Sequence, residues 1–320
     1  MTTNIAIACQ GGGSHTAFTA GVLEHLFENW DDEHELVGIS GTSGGAFNAL
    51  AAWYGLVTGD EAKAAALVNS IWKDLAAKEY SDKLANAWFQ TYQRLQNAGF
   101  PVAQISPYQN PGSELGKEKI AEILERHIEF DDIPGYCRRT APELVVGTVD
   151  INAGVFDTFV NEDVTVEAVL ASAAVPSLFK AVEVDGNLHW DGLFSQNPPV
   201  KDLLHQPPDR KPDELWVIQI NPQELEGEPK TLEEIADRRN ELSGNISLNQ
   251  ELRFVEQVNQ WIDDGKLSPD DFSQPEIHRI QMGKRYDYST KTDRSPEFID
   301  ELLDRGRSQA AAFLTQRDSS

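Results

Sequence analysis

Gly41-Thr42-Ser43-Gly44-Gly45 places one serine between glycines, where the apolar run Leu36 to Ser40 gives way to the alanine-rich stretch Ala46 to Tyr54. A G-x-S-x-G turn between strand and helix lifts the serine oxygen clear of its neighbours. Ser43 would then stand at a helix N-terminus, whose partial positive charge, with the Gly44 amide, favours an alkoxide or a tetrahedral oxyanion over the neutral hydroxyl. The chemistry that suits is acyl transfer. Such a site needs further N–H donors, and the triplet Gly11, Gly12, Gly13 supplies them after the apolar run Ile5 to Cys9 and ahead of Phe18, Val22, Leu23, Leu26 and Phe27 at helical spacing. Gly12 and Gly13 are the expected donors. A dinucleotide turn competes, because Asp31 follows Gly11-x-Gly13 by about 20 residues. It is disfavoured by Thr16 in the third glycine's place and by a next strand that ends in the serine turn instead of an acidic ribose ligand.

A serine needs a base. His205 and His278 are the histidines downstream of Asp191, and neither lies in a glycine-rich or strand-end setting, so both read as surface residues. Asp191 closes a hairpin strand, follows Leu188 and Trp190, and precedes Gly192. It is the better candidate, provided burial by Trp190 and its neighbours raises a carboxyl whose ordinary pKa near 3.9 makes it a weak base toward serine. His189 faces the same side of that strand as Asp191 and reads as a plain hairpin residue with a supporting role as the alternative. The run His34-Glu35-Leu36 opens like a zinc-protease motif without its second histidine, and Cys9 and Cys137 form no C-x-x-C pair, so neither a metal nor another cofactor is implied.

Positioning these residues takes a strand, turn and helix repeated at once, which predicts a right-handed parallel crossover with the two glycine turns side by side at the carboxyl ends of their strands. Helices are expected over 60–77, 82–95, 117–127 and 164–174, and strands over 143–151 and 155–160. Asp185-Gly186 reads as the hairpin turn that delivers Asp191-Gly192. Leu215 to Ile220 is one more buried strand, at which the core sheet is expected to end. Thr231 with Glu234 opens a helix by a capping box, Leu248 to Ile262 forms a separate apolar stripe, and a strand at 277–282 and a helix from Ser295-Pro296-Glu297 follow. The loop 97–113 and the aromatic run Trp88-Phe89-Tyr92 are candidates for an interfacial lid, with burial in the core as an equal alternative.

The Gly11–Gly13 triplet, GTSGG at 41–45, ASAAVPSLF at 171–179 and Trp190-Asp191-Gly192, in that order, resemble the patatin-like phospholipases over roughly residues 4–222. The tail, with DRRNELSGN at 237–245, resembles an extension found in one prokaryotic subgroup of that family. The resemblance implies a three-layer α/β fold with a mainly parallel central sheet flanked by helices, a catalytic domain over 4–222, and an extension over 223–320 packed on it. It also implies a Ser-Asp dyad without histidine: Ser43 the nucleophile, Asp191 the base, Gly11, Gly12, Gly13 and Gly44 the oxyanion turn, with Gly41, Gly45, Gly192 and His15 as motif neighbours. Two positions depart from the family pattern, His15-Thr16 where a cation and a glycine are usual, and Leu193 after Asp191-Gly192. His15 reads as a polar residue of the first helical turn, with a substitute cation toward an anionic head group as the alternative. The implied activity is hydrolysis of phospholipid or glycerolipid esters. A polyhydroxyalkanoate granule depolymerase with the same dyad, and a catalytically silent lipid- or granule-binding protein, are the competing readings.

Aspartate and glutamate number 52 against 27 lysine and arginine, a formal charge of −25 over 320 residues, which opposes phosphate-backbone binding and excludes nucleic acid as an expected partner. The N-terminal MTTNIAIACQGGG lacks a basic n-region, and the apolar runs fall short of the roughly 20 residues of a spanning helix. A cytoplasmic protein is expected, touching a membrane or storage granule only peripherally. A charge of roughly −2 to −8 suffices for the solubility of a small domain, so −25 points to a salt-rich surrounding that screens self-repulsion. Thermal unfolding in KCl from about 0.1 M to about 3 M should therefore move upward in temperature; a flat or falling midpoint removes the halophilic reading.

Overall fold

The computed structural model of the chain describes residues 2–97, 99–100, 102, 105–194 and 196–317. β1 (Thr3–Cys9) is followed by α1 (Ala17–Glu28), β2 (His34–Thr42) and α2 (Gly44–Thr58). Three helices come next, α3 (Glu61–Leu75), α4 (Tyr80–Asn97) and α5 (Pro111–His127), and then the short α6 (Ile133–Tyr136). β3 (Glu143–Asp150), β4 (Val155–Val160), α7 (Val166–Ser172), β5 (Val182–Val184), β6 (Asn187–Asp191) and β7 (Glu214–Gln219) complete the middle of the chain. α8 (Leu232–Asp263), β8 (Glu276–Gln281) and α9 (Pro296–Arg317) form its last part.

The strands make one sheet in the order β5-β6-β3-β2-β1-β7-β8, with β4 pairing β3 off that path. Pairing is parallel from β3 through β2, β1 and β7 to β8, and antiparallel where β4 and β6 meet β3 and β5 meets β6. The parallel strands are covered on both faces, which is why they read as unbroken apolar runs. Side chains alternate between two cores: Ile5, Ile7 and Ile39 pack with α1, α2, α3 and α9, whereas Ala6, Ala8, Val37 and Val217 pack with Leu248, Leu252 and Val255 of α8. Helix, sheet and helix thus form three layers.

The register places the chemistry. Cys9 of β1 pairs with Gly41 of β2, so the two glycine turns leave the sheet side by side at the carboxyl ends of neighbouring strands. Asp185 and Gly186 both take positive φ, 50° and 85°, the two-residue turn that matches the twist of a hairpin. The hairpin runs β6 back against β3, where Thr148 faces Asp191 while Gly147 faces Thr42 of β2. Aspartate and serine are brought together across β3 although nearly half the chain separates them.

Three expectations need correction. The sheet does not end at β7: β8 pairs with it in parallel, and α8 is the crossover between them. α8 is one helix of 32 residues starting at the Thr231–Glu234 capping box, not a short helix followed by a separate stripe. A Cβ on Gly244 would lie 2.6 Å from Asn221 Nδ2, so the glycine serves close packing inside the helix. The loop 97–113 is shorter than expected because Asn110 caps α5 at Pro111, its side chain accepting from the Gly112 amide at 3.0 Å. Ala98, Pro101, Ala103 and Gln104 of that loop lie outside the described residues.

α9 packs closely along α1. A Cβ on Gly306 would stand 2.1 Å from the Phe18 carbonyl oxygen, and one on Gly21 would stand 2.1 Å from that of Leu303. Gly306→Leu should push the helices apart and cost about 1–3 kcal/mol, read as a lower midpoint in urea with an unchanged slope. A midpoint equal to that of the unaltered protein would show that the two helices tolerate separation.

Candidate active site

Ser43 occupies the N-cap of α2 at φ 57° and ψ −130°, a conformation that L-residues hold only when their surroundings impose it, at a cost on the order of 1–3 kcal/mol. The surroundings are backbone. A Cβ on Gly11 would lie 2.2 Å from the Thr42 carbonyl oxygen, one on Gly45 would lie 2.2 Å from that of Cys9, and one on Gly41 would lie 2.2 Å from that of Gly45. Side chains finish the clamp: the Ser43 amide donates to Ser172 Oγ at 2.8 Å, and the Ser172 hydroxyl donates to the Gly147 carbonyl at 2.7 Å. Thr16 sends its hydroxyl to the Gly13 carbonyl at 2.6 Å and fills the space a Cβ on Gly44 would need.

The Asp191 carboxylate accepts the Leu193 amide at 2.8 Å to Oδ1 and stands against the Ser43 hydroxyl, both of which favour its ionised form. Asp191 is 1% exposed and Ser43 6%. Burial pushes the Asp191 carboxyl up to about 7, against the opposing pull of those two groups and of the Lys291 ammonium. That is the range in which a carboxylate can accept a serine proton. Trp190 does not bury it, because adjacent residues of a strand point to opposite faces; the Gly192 Cβ position, 2.7 Å from the Gly147 carbonyl and 3.0 Å from Thr42 Cγ2, shows how closely β3 and β2 close on this end of β6.

The triplet is not uniform. Gly11 gives its amide to Asn197 Oδ1 at 2.6 Å, so it is a fixed point of the turn rather than an oxyanion donor, and the expected set narrows to Gly12, Gly13 and Gly44. Asn197 belongs to the stretch after Asp191-Gly192, which also receives the Thr42 hydroxyl at the Gln196 carbonyl (2.7 Å) and the Ser40 hydroxyl at the Pro199 carbonyl (2.5 Å). One segment therefore holds both glycine turns.

No histidine is placed against the pair. His15 is buried, its Nε2 is 2.7 Å from Thr290 Oγ1 and its ring lies 5.5 Å from that of Tyr286, and burial with the nearby Lys291 charge keeps it well below its usual pKa. It is neutral, so the substitute-cation reading does not hold. His189 bonds Asp157 at 3.2 Å and packs edge-on to Phe159; His278 lies 3.5 Å from Glu214 on β8, and His205 ends the short turn Asp202–Leu204. A cation does stand at the site. Lys291 is half-buried, and its Nζ donates to Asn221 Oδ1 at 2.8 Å. Sequence reasoning missed Ser172, Asn197 and Lys291; the first lies inside the 171–179 motif, but nothing local marks the other two. Among the described residues no group of three or more His, Cys, Asp or Glu is arranged to hold a metal. A cavity of about 400 Å³ lined by Trp30, His34, Tyr136 and Pro142 opens at the other end of β2, away from Ser43.

A sequence profile described as patatin-like phospholipase matches residues 7–204. The chain belongs to the patatin-like phospholipase family. It is accordingly a hydrolase of lipid esters. Among solved structures it is similar to VipD from Legionella pneumophila, with 14% identity and a TM-score of 0.47 over 99% of this chain and 67% of VipD. A second is the type III effector ExoU, with 17% identity and a TM-score of 0.37 over 98% of this chain and 53% of ExoU. The ExoU–SpcU complex of Pseudomonas aeruginosa gives 14% identity and a TM-score of 0.40 over 100% of this chain and 52% of that one. The chain spans about half the length of ExoU. No curated protein matches it.

A carboxyl raised on folding binds its proton more tightly in the native than in the unfolded state, so between the ordinary value of 3.8 and about 7 stability falls as pH rises. Asp191→Asn removes that loss. The variant should melt above the unaltered protein at about pH 8, by a margin that closes toward about pH 4. Equal melting temperatures at both pH values would mean that Asp191 is not desolvated.

Proposed function

We propose that the protein hydrolyses carboxylic esters of phospholipids or glycerolipids through a Ser43–Asp191 dyad and an acyl-enzyme. The observation that carries this is the Ser43 hydroxyl set against a buried carboxylate from within a strand-to-helix elbow. Asp191 takes the proton as Ser43 Oγ attacks the ester carbonyl. The oxyanion forms beside the amides of Gly12, Gly13 and Gly44, each donor contributing on the order of 3 kcal/mol. Collapse breaks the ester bond, and the departing alkoxide takes the proton back from Asp191 and leaves as the alcohol. Water then attacks the acyl-serine, Asp191 receives its proton and returns it to Ser43, and the carboxylic acid is released.

Surface chemistry supports a substrate presented at an apolar–water boundary. α4 is turned inside out: Asn86 and Gln90 are buried and donate to Asp293 Oδ1 and Thr292 Oγ1 at 3.0 and 2.9 Å, while Tyr80 and Trp88 are 79% and 69% exposed. Leu84 on the same helix, with Phe100, Ile105 and Tyr108 beyond it, extends the exposed apolar surface. The Trp88 ring stacks on Tyr92 at 5.7 Å at the surface and takes no part in the core. With a charge of −25, such a surface favours a zwitterionic or uncharged boundary over an anionic bilayer. That same observation favours a second reading, in which the dyad acts on intracellular polyester granules.

One assay separates the readings: purified protein is offered a soluble short-chain ester, zwitterionic phospholipid vesicles and polyester granules, with Ser43→Ala as the blank. Turnover of vesicles supports the first reading and turnover of granules alone the second; no turnover of any substrate marks a silent binding protein. Ser43→Ala and Asp191→Asn should each lower kcat about 10³-fold or more, and the double variant should be scarcely worse than either, because the two groups act as a unit. His→Gln at 189, 205 and 278 should leave activity within a few-fold; a loss of several orders of magnitude at any of them would replace the dyad with a histidine-dependent site.

A further inference from the structure

Lys291 lies on the short turn Tyr288–Thr292, in the last third of the chain, yet it touches the oxyanion turn with both its main chain and its side chain. A Cβ on Gly13 would stand 2.2 Å from the Lys291 carbonyl oxygen, and one on Gly12 would stand 3.6 Å from Nζ. The nitrogen is aimed by Asn221 Oδ1 at 2.8 Å, and Asn221 is itself held where its amide meets Gln10 Oε1 at 2.9 Å, at the end of β1. The ammonium and the Asp191 carboxylate lie within electrostatic reach, each stabilising the charged form of the other.

Stability alone is a poor reason for such a lysine. Taking an ammonium out of water is costly, and replacing buried charges by apolar groups of similar size is often neutral or favourable. Groups from several elements face it. On α8, Glu241 shares its charge with Arg238 at 3.1 Å and Arg285 at 2.9 Å, and Asp237 accepts the Tyr288 amide at 3.0 Å. On its own segment the Tyr288 ring centroid is 5.8 Å from Nζ, and Asp287 accepts the Ser289 amide at 2.7 Å. Before α1, His15 is neutral. From α4 come the uncharged Asn86 and Gln90, while Asp82 pairs with Lys119.

We propose that Lys291 is the positioning cation of this active site, its ammonium standing beside the turn where the oxyanion forms and within reach of the Asp191 carboxylate that takes the Ser43 proton. The inference rests on the dyad reading. When the proton passes from Ser43 to Asp191, negative charge leaves the carboxylate and reappears on the carbonyl oxygen beside Gly12 and Gly13. A cation next to both places attracts that charge before and after the transfer. The segment 287–293 thereby completes a centre whose nucleophile and base lie within residues 7–204.

The signature is in the pH dependence, since Asp191 at about 7 must be deprotonated and Lys291 at about 8 must keep its proton. On a soluble short-chain ester, which avoids any surface-binding step, kcat/KM should trace a narrow bell with limbs near those two values. Lys291→Met should raise the acid limb by about one pH unit or more, abolish the alkaline limb, and lower kcat/KM at pH 7 at least about tenfold. Lys291→Arg should keep the acid limb and carry the alkaline limb out of range, because guanidinium does not deprotonate there. A Lys291→Met profile that superimposes on the original, with Ser43→Ala and Asp191→Asn inactive, overturns this inference and leaves the dyad standing. If the methionine variant does not fold, an alkaline limb that persists near 8 in Lys291→Arg overturns it equally. An active Ser43→Ala or Asp191→Asn protein overturns the dyad, and this inference with it.

Discussion

The desolvation of one carboxylate governs this molecule. Water is kept from Asp191 because β6 ends against β3 and β2 instead of in a loop, and the proposed reaction depends on that exclusion. A carboxyl in water holds a proton too loosely to serve as a base for a hydroxyl; the same group, almost wholly buried, holds it near neutrality. Burial on that scale opposes folding, and the parallel sheet with apolar layers on both faces supplies the stability that tolerates it.

The second constraint is steric. The serine turn and the glycine triplet come from adjacent strands whose ends approach until backbone meets backbone, which removes side chains from Gly11, Gly41 and Gly45. Ser43 keeps its unfavourable conformation because Ser172, Thr16 and Asn197 fasten the peptides around it. Hydroxyl and amide groups serve here as fixings, each spanning the gap between two elements remote in sequence. The surface follows a different logic, with apolar side chains left outside α4 while its amides face inward.

What could be read in advance follows the range of the interaction. Ser43 and the glycine triplet are legible because the strand, the turn and the helix that shape them are contiguous, and Asp191 because the Asp185-Gly186 turn and Gly192 bracket a short strand. Gly244 shows the opposite case: its lack of a side chain answers to Asn221, distant in sequence, and nothing in its own helix announces that. Strand β8 alternates weakly and borders the sheet, so its pairing with β7 had no strong pattern to announce it. Lys291 and Asn197 carry no local signature, since their positions are set wholly by tertiary contacts. His15 reads as a polar surface group until Tyr286 and Phe298, from the far end of the chain, close over it.

The pairing of α1 with α9 bears on how the protein comes into being. The apolar face of α1 and the narrow slot at Gly21 receive their partner only when α9 has been synthesised, so a growing chain carries its serine turn long before that layer is sealed. Lys291, just ahead of α9, arrives equally late. A ribosome-bound intermediate therefore holds Ser43 in its turn without the layer that α9 supplies. In the proposed reaction the Ser43–Asp191 pair would therefore gain its full surroundings only after α9 has been added to the growing chain.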